Sequence, residues 1–355
     1  MDHFLRRAQL GARLEELNVE ALLVTRLPNV RYLTGFTGSN GQVMVTPEGA
    51  VFFTDGRYTE QARHEVPDLE RVTYATGLAK ALSERLGGVE KLGFEANDVT
   101  VAAHTTYARR LANVELVATE RVVERSRWVK DDEEIGLLRA AQEATDQAFG
   151  EILERLAIGM TERSVARDLE EAMRGAGADG PAFEPIVAFG EQAAEPHHDP
   201  GHRVLREGDV VKLDFGALVG GYHADMTRTI AFGAPSAELR KIHDVVRQAQ
   251  EAAVDAVHAG VVGGDVDAVA RGVIEDAGYG ERFSHGLGHG VGLEIHEGPS
   301  LRREGADVLP AGAVVTVEPG IYVPGLGGVR IEDSVQVTGD GCRVLGTSTR
   351  ELIEL

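Results

Sequence analysis

Three stretches of this sequence occur twice, in the same order and at nearly the same spacing. "GDVVKLDFG" (208–216) matches "GAVVTVEPG" (312–320) at an offset of 104 residues. "GMTERSVARDLEEAMRGAG" (159–177) resembles "GVVGGDVDAVARGVIEDAG" (260–278) at an offset of 101, and "HHDP" corresponds to "HEGP" at an offset of 99. Such a repeat indicates two similar halves that pack around a pseudo-two-fold axis.

The two halves carry acidic residues at matching places in apolar strands. "VVKLDFG" carries Asp214 and "VVTVEPG" carries Glu318, while the strands that return after glycine-rich turns carry Asp225 and Glu332. A single acid in a strand usually faces solvent or caps a turn. Four acids brought together would repel one another unless cations neutralise them, and two divalent ions match their charge. Such a pair of ions can activate a water molecule and stabilise an oxyanion.

"SHGLGHGVGLEIHEGP" (284–299) lies between the acidic hairpins of the two halves and contains His285, His289 and His296. Its glycines alternate with period two from 286 to 292, which predicts extended chain that another backbone or a substrate can approach closely. "HGLGH" lacks the Glu of H-E-x-x-H, and Val291 breaks G-x-G-x-x-G, so both of those sites are excluded. A histidine joining the acids suits Mn²⁺, Co²⁺, Fe²⁺ or Zn²⁺. Hydrogen-bonded core histidines are the alternative interpretation.

The first third of the chain predicts a small α/β domain. Apolar spacing indicates a helix over 4–17, "ALLVT" a buried strand, and "RYLTGF" with "QVMVT" a hairpin that turns at Asn40-Gly41. A long amphipathic helix with acids at its N-terminal end follows over 135–156. We therefore predict an N-terminal domain over 1–124 and a C-terminal domain over 125–355.

Composition excludes several classes of protein. The net charge of −21 argues against nucleic-acid binding, which needs a basic surface. The charged N-terminus is not a signal peptide, and no segment is long and apolar enough to span a membrane. Cys342 is the only cysteine, so no intrachain disulfide can form, which fits a cytoplasmic protein.

Four motifs in this order resemble the creatinase, aminopeptidase P, prolidase and methionine aminopeptidase family of "pita-bread" metallopeptidases: "LDFGALVGGYHADMTRT", "SHGLGHGVGLEIHE", "VEPGIY" and "VRIEDSV". The resemblance implies an α/β (α+β) fold, a small N-terminal α/β domain followed by a pita-bread domain with an internal pseudo-two-fold repeat. It implies two divalent metal ions per chain, Mn²⁺ first and Co²⁺ or Zn²⁺ as alternatives. Their ligands would be Asp214, Asp225, His289, Glu318 and Glu332.

The resemblance also assigns roles within the site. Asp225 and Glu332 would bridge the ions, Asp214 would complete one ion, and His289 with Glu318 the other. Glu318 would also accept a proton from the attacking water. His197 and His296 would contact the scissile amide and its oxyanion, and the repeat favours His197 over His198 because His197 pairs with His296. The other implied substrate-binding residues are His285, Tyr322 and Arg330. Gln192 departs from the asparagine that relatives often carry before this histidine.

Within the family, the intact ligands argue against creatinases, and the N-terminal domain argues against methionine aminopeptidases. We therefore expect an Xaa-Pro aminopeptidase, with an Xaa-Pro dipeptidase (prolidase) as the alternative and a non-catalytic binding protein as a more distant one. A strict dipeptidase needs a cation near the substrate carboxylate, for which Arg330, Arg31 and Arg57 are candidates. Short proline-containing peptides and a second copy of the chain are the expected partners. "TGSNG" (37–41) is either a plain turn or a loop that reaches a partner's active site.

Overall fold

The computed structural model describes residues 1–355 and divides the chain into two units, residues 1–127 and 128–355. The predicted boundary between 124 and 125 falls within the helix Val122–Arg127. The α-helices are α1 His3–Gly11, α2 Leu27–Thr34, α3 Thr59–Glu65, α4 Leu78–Ser83, α5 Val101–Arg110, α6 Val122–Arg127, α7 Asp132–Arg155, α8 Glu162–Gly175, α9 Ala237–Ala256 and α10 Gly263–Asp276. Short 3₁₀ turns lie at Gly56–Tyr58, Gly190–Ala194 and Gly280–Arg282. No helix combines the length and apolar character needed to cross a lipid bilayer.

The strands of the N-terminal unit are β1 Ala21–Val24, β2 Gly41–Thr46, β3 Gly49–Asp55, β4 Glu70–Tyr74, β5 Lys91–Glu95 and β6 Glu115–Thr119. They form one mixed sheet in the order β4-β3-β2-β1-β5-β6. β1, β2 and β3 pair antiparallel, and the other neighbours pair parallel. This unit is therefore an α/β domain, as the sequence predicts.

The predicted hairpin between "RYLTGF" and "QVMVT" is wrong. Residues 27–34 form α2, with Pro28 in its first turn and Gly35 ending it in the left-handed region at a φ of 79°. Proline at the start and glycine just after the end are typical helix boundaries, and here they outweigh the apolar pattern. The hairpin of this region joins β2 to β3 instead.

The strands of the C-terminal unit are β7 Gly180–Pro181, β8 Ile186–Phe189, β9 Asp209–Phe215, β10 Ala217–Val219, β11 Tyr222–His223, β12 Met226–Phe232, β13 Gly288–Gly290, β14 Glu297–Leu301, β15 Val314–Val317, β16 Gly320–Val323, β17 Gly327–Arg330, β18 Asp333–Val337 and β19 Cys342–Val344. The first half has the sheet β12-β9-β8 and the second the sheet β14-β13-β15-β18-β19. Helices α7 and α8 contribute to the apolar core of the first half, and α9 and α10 to that of the second.

The predicted repeat is visible in the hydrogen bonds of the two halves. The bounds of α8 and α10 match at the offset of 101 residues that the sequence shows. Before each acidic strand, the chain pairs with the start of the second helix: Glu162 N donates to Arg203 O at 3.2 Å, and Gly263 N donates to Asp307 O at 2.8 Å. Helix α7 begins, as the acids before it predict, with a capping box formed by Asp131 and Glu134.

The two halves meet at the strands that return from the acidic hairpins. Glu332 N donates to Thr227 O at 3.1 Å, and the Thr229 hydroxyl bonds with the Arg330 backbone at 3.1 Å. Arg228 extends the junction by donating to Glu332 O and by pairing with Asp333 at 2.8 Å. These contacts fix the first half's acids against those of the second.

The glycines of 286–292 allow close backbone packing, as predicted. A Cβ atom on Gly288 would overlap the carbonyl oxygen of Thr316, and one on Gly290 would overlap that of Gly298. Gly290 pairs with both Glu297 and Val315, so it lies between two strands. No side chain larger than hydrogen fits at these positions without moving a strand.

We expect Gly290→Ala to lower the free energy of unfolding by about 1–3 kcal/mol, because the added methyl group must displace the neighbouring strand. Gly150→Ala is the matched control, since Gly150 is exposed in α7 and has no atom within 4 Å of the added Cβ. It should raise stability by up to about 1 kcal/mol. Thermal and urea unfolding of the metal-free variants measure both; equal stability of the two variants would contradict this packing.

Candidate metal centre

The four acids of the repeat line one cavity of about 390 Å³ in the C-terminal unit. Asp214 lies near the end of β9, Asp225 directly before β12, Glu318 directly after β15, and Glu332 between β17 and β18. Strand ends therefore deliver all four carboxylates. His197, His285, His289, His296 and Arg330 line the same cavity. Tyr322 is buried behind it and bonds to two of these side chains.

Three side chains form the tightest group in the cavity. Ligand atoms of Asp225, His289 and Glu332 all lie within 4.8 Å of one another. Glu318 adjoins them, with its Oε1 atom 3.4 Å from His289 Nε2. The Oε2 atom of Glu332 accepts a 2.6 Å hydrogen bond from the Thr227 hydroxyl. The Oε1 atom of Glu332 is buried without a hydrogen-bond partner. An unsatisfied buried carboxylate oxygen beside other carboxylates is the place where a cation fits.

The hydrogen bonds of His289 orient a lone pair toward the acids. Its Nδ1 lies 3.0 Å from Gly290 O, which can only accept, so Nδ1 carries the proton of the neutral ring. Nε2 then has a lone pair, and it lies 3.5 Å from Asp225 Oδ2 and 3.4 Å from Glu318 Oε1. Burial and the neighbouring His296 lower the pKa of His289 to about 4, so the ring stays neutral near pH 7. A lone pair among carboxylates suits a metal ligand.

The acids themselves are costly to ionise in this site. Burial, and then the charges of the other carboxylates, raise the pKa values of Asp225 and Glu332 well above their usual range. Burial raises the pKa of Glu318 to about 7. Arg330 is the guanidinium that opposes these shifts. Divalent cations would remove the repulsion and replace the protons.

Asp214 is held differently from the other three acids. Arg330 Nη2 forms a short ion pair with Asp214, while Arg330 Nη1 donates to Tyr322 Oη at 2.8 Å. Tyr322 Oη lies 2.8 Å from His285 Nε2, and His285 Nδ1 bonds to Gly286 O. Since Nδ1 must donate to that carbonyl, Tyr322 donates to Nε2. The predicted substrate-binding residues thus form a chain that ends on a predicted metal ligand.

The donor set fits the metal chemistry expected from the sequence. Carboxylate oxygens and one imidazole nitrogen suit divalent ions such as Mn²⁺, Co²⁺ or Zn²⁺. Asp225, His289 and Glu332 would hold an ion at the tightest point, with Glu318 beside His289. Asp214 binds Arg330 through Oδ2, which leaves its Oδ1 atom available to an ion.

The two predicted oxyanion histidines lie at the exposed side of the cavity. The His296 ring is 4.4 Å from the His289 ring, centre to centre, and burial and His197 lower the pKa of His296. His197 is exposed, whereas its neighbour His198 is buried and bonds to Glu162 at 2.9 Å and to Glu195 at 2.8 Å. Of this adjacent pair, only His197 lines the cavity.

Sequence reasoning missed the side chains that support the site from behind. The Thr316 hydroxyl accepts a hydrogen bond from the backbone N–H of His289 at 3.1 Å and donates one to the Glu318 carboxylate at 3.3 Å. Lys130 forms a buried 2.7 Å ion pair with Glu297, the residue after His296. Lys212 is wholly buried two residues before Asp214. Only Lys212 leaves a signal in the sequence, as a cation within the apolar strand "VVKLDF".

Comparison with known proteins defines the class. Residues 136–339 match "Metallopeptidase family M24", and residues 6–129 match "Creatinase/Prolidase N-terminal domain". The chain belongs to the M24 metallopeptidases, and it has their pita-bread fold, as the motifs predict.

Several relatives match over nearly their whole length. An Xaa-Pro dipeptidase from Pyrococcus horikoshii is 36% identical, covering 96% of each chain. The structure of an Xaa-Pro dipeptidase from Bacillus anthracis is 40% identical, with a TM-score of 0.97 and 100% of both chains covered. The structure of an X-Pro aminopeptidase from Thermotoga maritima is 35% identical, with a TM-score of 0.91 and coverage of 98% and 99%.

We expect His289→Ala and His296→Ala to separate metal binding from turnover. His289→Ala should lower metal content and rate together, because it removes a donor atom from the tight group. His296→Ala should keep the metal and lose about 10²–10³-fold in kcat if this histidine stabilises the oxyanion. Metal analysis of the purified proteins checks this. The assignment is reversed if His296→Ala is metal-depleted while His289→Ala is fully loaded.

Metal binding should release protons at neutral pH. Glu318, with a pKa of about 7, and Asp225 and Glu332, whose pKa values are raised well above their usual range, must lose protons before they coordinate. Affinity should therefore fall as the pH drops from about 8 to 6, by about tenfold per pH unit for each proton released. Titration calorimetry in two buffers of different ionisation enthalpy counts the protons. A pH-independent affinity with no proton release would refute this view of the site.

Proposed function

We propose that this M24 metallopeptidase is an Xaa-Pro dipeptidase, which hydrolyses the bond before the proline of dipeptides. This is the alternative that the sequence left open, and the comparisons favour it over the expected Xaa-Pro aminopeptidase. Two of the relatives described above are named Xaa-Pro dipeptidases and one is named X-Pro aminopeptidase. The observation that carries the peptidase chemistry is the gathering of four carboxylates and four histidines at one cavity.

A cation at the cavity favours a dipeptide over a longer substrate. The candidates named from the sequence are occupied elsewhere: Arg330 is buried against Asp214, and Arg57 pairs with Asp55 at 2.8 Å. Arg31 also has an interaction partner within the protein. Arg302, by contrast, lines the cavity, is exposed and has no ion-pair partner. Its guanidinium can bind the carboxylate of a dipeptide, a group that a longer peptide carries further away.

The proposed chemistry assigns each group a task. Two divalent ions, held by Asp214, Asp225, His289, Glu318 and Glu332, would supply an activated water and stabilise negative charge on the carbonyl oxygen. Glu318 would accept the proton of the attacking water. Its position beside His289 and the 16% exposure of its side chain suit this role.

The exposed histidines would contact the substrate. His197 and His296 would donate hydrogen bonds to the scissile amide and its developing oxyanion. His285 and Arg330 would meet the substrate at the cavity wall, with Tyr322 orienting both from behind. The proline nitrogen of the scissile bond carries no hydrogen, so the site needs no hydrogen-bond acceptor for it.

Metal-loaded protein should cleave Xaa-Pro dipeptides with a higher kcat/KM than Xaa-Pro-Xaa tripeptides, and chelator should abolish both activities. The physical reason is the ion pair between the dipeptide carboxylate and Arg302. Product analysis for matched pairs of peptides provides the measurement. If tripeptides and longer peptides are the better substrates, the chain is an Xaa-Pro aminopeptidase. Full turnover by metal-free protein would exclude both functions.

Arg302→Met should raise the KM for dipeptides by about tenfold or more, since a charge-assisted hydrogen bond contributes about 1.5–3 kcal/mol. Xaa-Pro amides, which lack the carboxylate, should be unaffected by the substitution. Arg303→Met is the matched control, because Arg303 is also exposed but faces Glu275 at 3.4 Å. Should Arg302→Met and Arg303→Met behave alike on dipeptides, another residue binds the carboxylate.

Other features of the proposal rest on the resemblance. These are manganese as the physiological metal, a homodimer as the assembly, a cytoplasmic location and a role in trans for residues 37–41. Thr37 and Ser39 of that loop bond to Glu65 and Tyr58 of their own unit, which gives the loop a defined shape.

A further inference from the structure

Lys212 is a buried cation for which the proposed chemistry has no use. Its side chain lies in the acidic strand β9, two residues before Asp214, and has no exposed surface. It makes no ion pair with a carboxylate, although a buried ammonium normally requires one. Its partners are backbone carbonyls, so the position of Lys212 is linked to the position of a chain segment.

All three hydrogens of the Lys212 ammonium have an acceptor in the segment that leads to His197. Nζ donates to Ala193 O at 3.3 Å, to Pro196 O at 3.2 Å, and to Glu195 O through a short bond. The ring of Tyr322 covers the ammonium at 5.3 Å. Lys212 thus gathers three carbonyls from the stretch 193–196, and the next residue is His197.

The other end of this segment has its own anchor. His198 bonds to the buried Glu162, and Glu162 also accepts from Gly201 N at 3.0 Å. His197 is therefore the exposed residue between two fixed points, one before it and one after it. Because the His198 anchor does not involve Lys212, loss of the Lys212 bonds should shift residues 193–197 without releasing the whole segment.

The second half of the repeat contains a corresponding device. Thr316 occupies the place of Lys212 in the repeat, two residues before Glu318, and it binds the backbone N–H of His289 at 3.1 Å. In both halves, the side chain two residues before the acid holds the backbone of a segment that carries a cavity histidine. A threonine suffices where the histidine strand is adjacent, whereas Lys212 reaches across to a loop.

We propose that Lys212 is a positioning residue for His197, which it places over the metal centre by binding the carbonyls of Ala193, Glu195 and Pro196. The inference rests on the proposed function insofar as His197 contacts the substrate. Lys212 itself makes no hydrogen bond to any of the proposed metal ligands.

The test combines Lys212→Met, which keeps length and volume, with His197→Ala in a double-mutant cycle on the metal-loaded enzyme. Lys212→Met alone should lose about 10–100-fold in kcat with metal content unchanged, because a small displacement of a catalytic group is costly. In the His197→Ala background, the same substitution should cost less than about twofold, because its target is already absent. An equal loss in both backgrounds, or metal depletion, would overturn the proposal.

Hydrogen exchange of residues 191–199 gives a second readout that does not depend on turnover. It should be faster in Lys212→Met, whereas Lys241→Met should match the wild type in exchange and rate, since Lys241 is an exposed lysine on α9. Unchanged exchange in Lys212→Met contradicts the proposal.

If wild-type enzyme cleaves no Xaa-Pro peptide, the proposed function fails, but exchange still decides whether Lys212 holds the segment. Lys212→Gln, which keeps a shorter donor, replaces the methionine variant if that variant does not fold.

Discussion

Repulsion among four carboxylates is the constraint on which the rest of the C-terminal unit depends. Asp214, Asp225 and Glu332 are buried, and Glu318 is only slightly exposed, so water cannot screen their charges. One guanidinium, that of Arg330, offsets part of this charge through Asp214. The burial that raises the pKa values of Asp225, Glu318 and Glu332 also makes these three acids strong ligands once cations replace the protons. A rigid framework has to hold them together in the absence of metal.

The framework comes from the repeat. Each half brings its acids to the ends of an antiparallel strand pair, β9 with β12 and β15 with β18. The halves are joined by a backbone hydrogen bond at Thr227 and by the hydroxyl of Thr229, which bonds to the Arg330 backbone. The glycines at 288 and 290 let the histidine strand lie between two neighbours without a side chain in the way. His289 therefore reaches the acids from a backbone that has little freedom to move.

Chemistry and specificity occupy different parts of this framework. The proposed metal ligands lie on or directly beside buried strands, where their positions are set by sheet geometry. The residues proposed to contact substrate, among them His197, His296 and Arg302, are exposed and lie on segments held by separate contacts. Lys130 with Glu297 and Glu162 with His198 hold the residue after each exposed histidine. The proposed specificity and the proposed metal chemistry therefore depend on different contacts.

The sequence by itself determined the repeat, the acidic strands, the close backbone packing at Gly288 and Gly290 and the family, because those features are local motifs whose spacing survives in the primary structure. It misassigned residues 31–36, where Pro28 and Gly35 bound a helix despite a strand-like pattern. It did not reveal the partners of Lys212, Lys130 or His198, nor that Arg302 lies at the cavity without a counter-ion. Those contacts join residues up to 167 positions apart, so they exist only after the strands and helices pack. Tertiary structure alone decides them, since a buried charge finds its partner by position in space and not by position in the chain.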